Sequence, residues 1–440
     1  MRQNQAPAAR QPLTHEGARA VSLSPEQQLE RTVLACLLWE DSFYESGESV
    51  AERIKRLVPL CNPQAVAALV VLAREEMKLR HAPLLLVREL SRYPSRISVA
   101  GLVDRVIKRP DEITELLALF AAEREGKAKK LNSLPKQVLK GIARAFTRFN
   151  EYSLAKYNRH NPIKLRDALF LSHAKPVSDE QAALWKRLID GKLAIPDTWE
   201  TQLSAGADKK ATFERLLAER KLGSLALLRN LRNMTEAGVS VGSITEALLL
   251  DAPKTKALPF RYLAAARAVP ALSSVLERAM LTSLEGAAKL PGRTILLVDV
   301  SGSMQDKLSA KSDLSRLDAA KALAILLVEI CETVGVMTFD TGVYGVTPSR
   351  GMALADNIGR TRGGTDIGFA VSKANQMLYD RIIVFTDEQS RTPVPQPHDG
   401  ARAYMVNVAS NEHSVAEGAW TSITGFSEGI VRYIQAVEAV

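Results

Sequence analysis

The chain places Asp299-Val300-Ser301-Gly302-Ser303 directly after the apolar run Leu296-Leu297-Val298. A carboxylate followed by two serines at alternate positions is an oxygen-rich corner at the end of a strand. Two later segments complete it. Gly363-Gly364-Thr365-Asp366 presents a hydroxyl on a glycine-rich loop, and Ile383-Val384-Phe385-Thr386-Asp387 ends a second apolar strand in a carboxylate. Mg²⁺ is a hard cation that takes oxygen ligands in octahedral geometry and keeps several of its waters. Asp299, Ser301, Ser303, Thr365 and Asp387 meet that demand and leave a coordination position open for a partner. Covalent chemistry fits less well. An aspartyl-nucleophile phosphatase needs a second acid two residues after Asp299, where this chain has Ser301. Neither Ser301 nor Ser303 stands in a Gly-x-Ser-x-Gly elbow, and no feature pairs them with His398 or His413, which read as loop residues. The expectation is a binding protein, not an enzyme.

The elements needed to position these residues follow from pattern. Strands read at 293–299, 334–340, 381–386 and 402–408, alternating with helices at about 315–332, 367–379 and 427–438. Such alternation gives a doubly wound, mostly parallel α/β sheet, whose ligands sit at the carboxyl ends of the strands. Asp299 and Asp387 both fall there. Upstream the period changes. Ser24-Pro25-Glu26-Gln27 is a capping box with Pro at the first helical position. Short helices follow at 47–58, 63–76, 82–92, 98–107, 111–123, 135–149, 151–160, 164–172, 179–190, 207–219, 223–236 and 242–250, with two more within 257–288. Many short helices with brief connections imply a bundle or a solenoid of repeats. The chain therefore divides into a tail over 1–22, a helical-repeat region over 23–290 and an α/β domain over 291–440.

Charge separates the two folded parts. The chain has 58 Lys+Arg against 49 Asp+Glu; residues 291–440 hold 13 against 17, which leaves 45 against 32 in residues 1–290. A basic surplus confined to the helices is the footprint expected of polyanion binding. No basic stretch carries the Trp or Phe anchors of a membrane-lying helix, so nucleic acid is the better partner class. Lys136, Lys140, Arg144 and Arg148 recur every four residues and draw a stripe along one helix face. Lys127, Lys129 and Lys130 precede it, and Lys156, Arg159, His160, Lys164 and Arg166 follow it. A stripe alone is compatible with an ordinary solvated face; its density here favours phosphate contact. His173 closes an amphipathic helix, where it could serve as a dipole-complementing cap or as a contact residue. Arg229, in Arg229-Asn230-Leu231, leaves the same choice open. Three scattered cysteines, no apolar run long enough to span a bilayer and a polar beginning point to a cytoplasmic protein.

The ligand set resembles the metal-ion-dependent adhesion site of the von Willebrand factor A domain. Lys156-Tyr157-Asn158-Arg159-His160-Asn161-Pro162-Ile163-Lys164, continuing through Leu171-Ser172-His173-Ala174-Lys175-Pro176, resembles the signature of the TROVE module. Leu227-Leu228-Arg229-Asn230-Leu231 and Leu37-Leu38-Trp39-Glu40-Asp41-Ser42-Phe43-Tyr44 are similar to further parts of it. The module defines the Ro autoantigen family, which places a ring of HEAT-like helical repeats before a von Willebrand A domain. The resemblance implies an RNA-binding monomer that takes Y-like non-coding RNA on a basic outer surface. It also implies that single-stranded 3′ ends of misfolded RNA enter the ring hole, in RNA quality control or processing with a 3′→5′ exoribonuclease as partner. The first Lys of the family's Lys-Tyr-Lys-x-Arg run corresponds to Lys156, its third and fifth positions are Asn158 and His160 here, and its RNA-contacting His corresponds to His173. The family's Arg three residues before that His is Phe170. The other reading is a Mg²⁺-dependent protein-binding adapter, with the metal site as its centre and the helices as scaffold.

Overall fold

The computed structural model describes residues 23–35, 47–122 except 95, 134–158, 162–307 except 256 and 258, 314–409 and 414–424, with residues 17, 430, 434 and 438. The motif Leu37–Tyr44, Lys127, Lys129, Lys130, Arg159 and His160 lie outside the described residues, as does most of the helix expected over 427–438. Nineteen α-helices and six strands lie among the described residues, and they sort into two compact units. One unit comprises residues 51–222 and 236–240; the other comprises 1–50, 223–235 and 241–440.

After α1 (Pro25–Ala35), the first unit is built of α2 (Gly47–Leu57), α3 (Pro63–Val71), α4 (His81–Leu90), α5 (Val99–Val106), α6 (Pro110–Ala122), α7 (Lys136–Phe146), α8 (Glu151–Tyr157), α9 (Leu165–Ser172), α10 (Asp179–Ile189), α11 (Trp199–Ser204) and α12 (Lys209–Ala218). α4 is buried from Ala82 to Leu90 on every face. A helix without a solvent face belongs at the centre of its unit. The charged pair it carries, Arg88 and Glu89, is bonded within the helix. The helix expected over 63–76 does not run through as one α-helix: α3 passes into a π turn at Leu72–Glu76. There Arg74 reaches the carbonyls of Val106 (2.8 Å) and Leu79 (3.0 Å) and the carboxylate of Glu112 (2.6 Å). α5 and α7 approach closely at Gly141, where a Cβ would lie 2.7 Å from the Ala100 carbonyl.

The second unit joins α1 and the helices α13 (Ser224–Glu236), α14 (Val241–Asp251), α15 (Pro259–Ala268) and α16 (Ser273–Leu284) to a six-stranded sheet. The sheet strands are β1 (Leu290–Asp299), β2 (Cys331–Phe339), β3 (Val343–Gly345), β4 (Arg381–Thr386), β5 (Arg402–Asn407) and β6 (Trp420–Thr424), in the order β3-β2-β1-β4-β5-β6. Only β3 runs antiparallel. β1 and β4 sit at the centre, which explains why Ile295 to Asp299 and all of β4 are buried on both faces and read as continuous apolar runs. Helices α17 (Arg316–Ile330), α18 (Gly351–Ile358) and α19 (Ile367–Ala374) complete the unit. α17 packs on β1 and β2 and also against α15 and α16. An Arg267–Asp318 ion pair joins α15 to α17. Helix α1 lies against β6, with Arg31 paired to buried Glu388 beyond the end of β4. Two short strands, β3 and β6, and two short helices, α11 and α18, add to the elements expected from sequence.

Candidate functional site

The first candidate is the loop cluster at the carboxyl ends of β1 and β4. Asp299 is the last residue of β1 and wholly buried. One of its oxygens accepts from the Ser301 amide at 2.8 Å and the other from the Thr386 hydroxyl at 2.6 Å. The hydroxyls of Ser301 and Ser303 lie 3.3 Å apart. Asp387, also fully buried, is hydrogen-bonded by Ser303. The loop carrying Thr365 is tied to both sides. The Gly302 amide donates to the Gly363 carbonyl at 3.0 Å, and the Arg391 amide donates to the Thr365 carbonyl at 3.1 Å. Gly363 has φ +48°, a left-handed conformation that glycine adopts at little cost. The fold thus links Asp299, Ser301, Ser303 and Asp387 in one polar cluster and holds buried Thr365 on the adjoining loop.

Electrostatics fit a cation there. Burial, reinforced by the neighbouring Asp387, pushes the Asp299 carboxyl up to about 7. Burial likewise raises Asp387, against the opposing pull of Ser303 and Arg316. Two carboxylates that disfavour each other's charge in a water-poor corner, with hydroxyls alongside and no nitrogen or sulfur donor among the five, suit a hard divalent cation. Among the described residues no group of three or more His, Cys, Asp and Glu side chains gathers to hold a metal, and this cluster offers two carboxylates with hydroxyls beside them. Residues that sequence reasoning passed over surround the cluster. Thr386 bonds Asp299, Asp340 accepts from the Gly342 amide at 2.7 Å, and Arg316 is buried with its guanidinium 3.3 Å from Asp387. The side-chain bond from Thr386 could be suspected from the polar residue closing an otherwise apolar β4; nothing in the sequence marks Arg316.

The second candidate is the basic face. On α7, Val138, Gly141, Ile142, Ala145 and Phe146 are buried while Lys136, Lys140 and Arg144 are exposed. The helix is amphipathic, and its wet side is cationic. Arg148, expected as the fourth member, lies one turn beyond and is engaged by the fold. It pairs with Asp104 and donates to the carbonyls of Asp104 (2.7 Å) and Ile107 (2.8 Å), at the C-terminal end of α5. Lys156 lies 5.8 Å from the Tyr152 ring centroid and 5.9 Å from that of Tyr157. Tyr157 is also covered by the Arg109 guanidinium at 4.3 Å. Lys164 precedes α9 as its cap, half-buried, with its amide donating to Asp167 at 3.0 Å; Arg166 is exposed, 3.6 Å from Asp167. His173 is exposed and ends α9 in the left-handed region, φ +49°. Arg229 is exposed on α13, in the other compact unit.

A doubly wound sheet of this strand order, with an Asp-x-Ser-x-Ser turn at its β1 end, defines a von Willebrand factor A-type domain; an array of short helices precedes it. The von Willebrand factor type A domain family matches residues 294–389, and the TROVE domain family matches residues 185–318. The chain is thus similar to both families, with the TROVE match ahead of the von Willebrand A match along the sequence. A solved structure of the Deinococcus radiodurans RO (RSR) protein superposes with a TM-score of 0.62, covering 94% of this chain and 99% of that one at 18% identity. At that identity the likeness is one of fold. Telomerase protein component 1 of Rattus norvegicus is 22% identical over 280 residues, covering 46% of this chain and 11% of that protein. Its Mus musculus counterpart is 23% identical over 334 residues, covering 57% and 12%. The chain corresponds to only about a tenth of these relatives.

Proposed function

We propose that the protein binds RNA through its helical region, over residues 23–290, and carries a metal-assisted docking site on the α/β domain, over 291–440. The observation that carries the reading is the face of α7, where Lys136, Lys140 and Arg144 stand exposed over an apolar buried side. Lys156, Lys164, Arg166, His173 and Arg229 extend the candidate set. Lys127, Lys129, Lys130, Arg159 and His160 belong to it by sequence. The TROVE match and the Ro-like fold support the same reading. The RNA class is Y-like non-coding RNA together with single-stranded 3′ ends of misfolded RNA, in quality control or processing. A 3′→5′ exoribonuclease is the natural companion of such a protein, because the RNA it retains must be trimmed by another chain. The protein itself performs no covalent step, works as a monomer and acts in the cytoplasm. Among the described residues no helix is long and apolar enough to cross a membrane.

The donor set at the β1 and β4 ends fits Mg²⁺. Asp299, Ser301, Ser303, Thr365 and Asp387 would hold it, directly or through water, and when bound it would offer an open position to an anionic oxygen of a partner. The adapter reading rests on this cluster alone and leaves the exposed cations of α7 without a role. Titrating the full chain with a fluorescent single-stranded RNA across a salt series tests the proposal. Affinity should fall linearly on a log–log plot, by about 0.7 per phosphate contact. Absence of binding at low salt would sink it.

A further inference from the structure

Arg316 is the first residue of α17, a helix opened by Ser315, whose hydroxyl accepts from the Asp318 amide at 3.2 Å while its own amide donates to Asp318 at 2.8 Å. That cap fixes the helix start, and the Arg316 amide donates to the Asp306 carbonyl at 2.9 Å. The side chain is then committed inward. Its Nη1 lies 3.3 Å from Oδ2 of Asp387, 3.5 Å from Oδ2 of Asp306 and 3.4 Å from the Ser303 carbonyl, and the residue is 2% exposed. A buried guanidinium therefore touches one of the two carboxylates assigned to the metal, and the backbone of one of the two serines.

We propose that Arg316 is a built-in counter-cation of the metal site, which holds the loop cluster together without a divalent ion and weakens the binding of one. The inference rests on the metal reading above. Asp299 and Asp387 would otherwise be two buried charges of one sign, an arrangement that a metal-free protein tolerates poorly. Arg316 supplies one positive charge where the burial is deepest, so the loops keep their shape when no metal is present. The same charge repels an incoming cation across a short distance in a medium of low dielectric constant. A divalent ion must compete with the guanidinium for Asp387. The site is thereby set to answer only high concentrations of free Mg²⁺, or an ion and an anionic partner arriving together.

The test uses the full chain with Mn²⁺ as the probe, followed by loss of the free-ion electron paramagnetic resonance signal. Arg316→Gln keeps a donor and removes the charge; Arg316→Lys keeps the charge. The expected result is Mn²⁺ affinity at least about tenfold tighter in Arg316→Gln, with Arg316→Lys close to the parent, since a tenfold change needs only about 1.4 kcal/mol of relieved repulsion. If Arg316→Gln is too unstable to titrate directly, its melting temperature is followed against Mg²⁺. A rise toward that of the parent, larger than the rise the parent itself shows, supports the proposal, and a melting temperature indifferent to Mg²⁺ overturns it. Equal or weaker Mn²⁺ binding in a folded Arg316→Gln also overturns it, while leaving the metal reading standing. No Mn²⁺ binding by either chain removes the metal reading and this inference together.

Discussion

The basic face of α7 allows a division of labour to be tested among residues that the sequence treats alike. Lys136, Lys140, Arg144 and Arg148 share one spacing and all four are exposed, but Arg148 is also tied to the fold. Arg148 is spent on Asp104 and on two carbonyls at the end of α5. Replacing Lys136, Lys140 and Arg144 together by alanine should remove three phosphate contacts. At about 0.7 per contact the salt slope should drop by roughly 2, which at about 0.1 M salt corresponds to an affinity loss near 100-fold. All three side chains are exposed, so the melting temperature should barely move. Arg148→Ala should behave in the opposite way. Its ion pair is partly exposed and worth little by itself. The two carbonyl bonds add to it, and the sum is a loss of about 1–2 kcal/mol. Its salt slope should stay within experimental error of the parent. Fluorescence anisotropy with a labelled single strand gives the slopes, and thermal melting of the same samples gives the stabilities. An unchanged slope in the triple variant would refute the placement of RNA on α7. A slope loss in Arg148→Ala without a change in melting temperature would refute the structural role given to that residue.

Three further outcomes are expected. Asp299→Asn should abolish Mn²⁺ binding and leave the RNA salt slope unchanged, and a slope that fell with it would move the RNA onto the α/β domain. Gly141→Ala should destabilise the chain by about 1–3 kcal/mol in denaturant melts, because the new methyl meets the Ala100 carbonyl 2.7 Å away; a neutral result would mean that α5 and α7 do not approach as closely as described. Asp318 lies deep enough for burial to raise its pKa, but its bonds with Arg267 and with the Ser315 amide prevail and lower it. A carboxylate with a depressed folded pKa adds stability above its unfolded value near 3.9 and loses it as the pH falls through the folded one. The stability advantage of the parent over Asp318→Asn should therefore be full at pH 7 and shrink below about pH 4. An advantage that grew on acidification would contradict that sign.

The legible part of this protein was the part set by local chemistry and period. Ile295 to Val298 and Ile382 to Phe385 could only be central strands, because both faces had to be apolar, and their carboxyl ends fixed where Asp299 and Asp387 would meet. The strands that escaped notice are edges. β3 is three residues long, and β6 has only Trp420 and Ile423 as apolar residues, so neither carries the double-sided burial that makes a strand visible. The helix α11 is only six residues and owes its start to Thr198 and Thr201 bonding each other's amides. Such a cap is short-range but weakly patterned.

Arg316 and Arg148 show where spacing stops being informative. Arg148 falls on the four-residue register of the basic stripe, yet α7 ends at Phe146, so the register no longer describes a helix face and the side chain turns to α5. Arg316 follows a capping serine, a position where an exposed cation would be unremarkable; it is buried because the turn after Asp299 comes back across the start of α17. In both cases the charge was visible and its partner was not, since the partner is 44 residues away in one case and 71 in the other. Ionic contacts at that separation are set by topology. The consequence for function is direct. Counting cations along the chain overstates the proposed RNA face by Arg148, which the fold has already engaged. It also misses the guanidinium 3.3 Å from Asp387, whose effect on the cluster depends on that distance and on the burial of both groups.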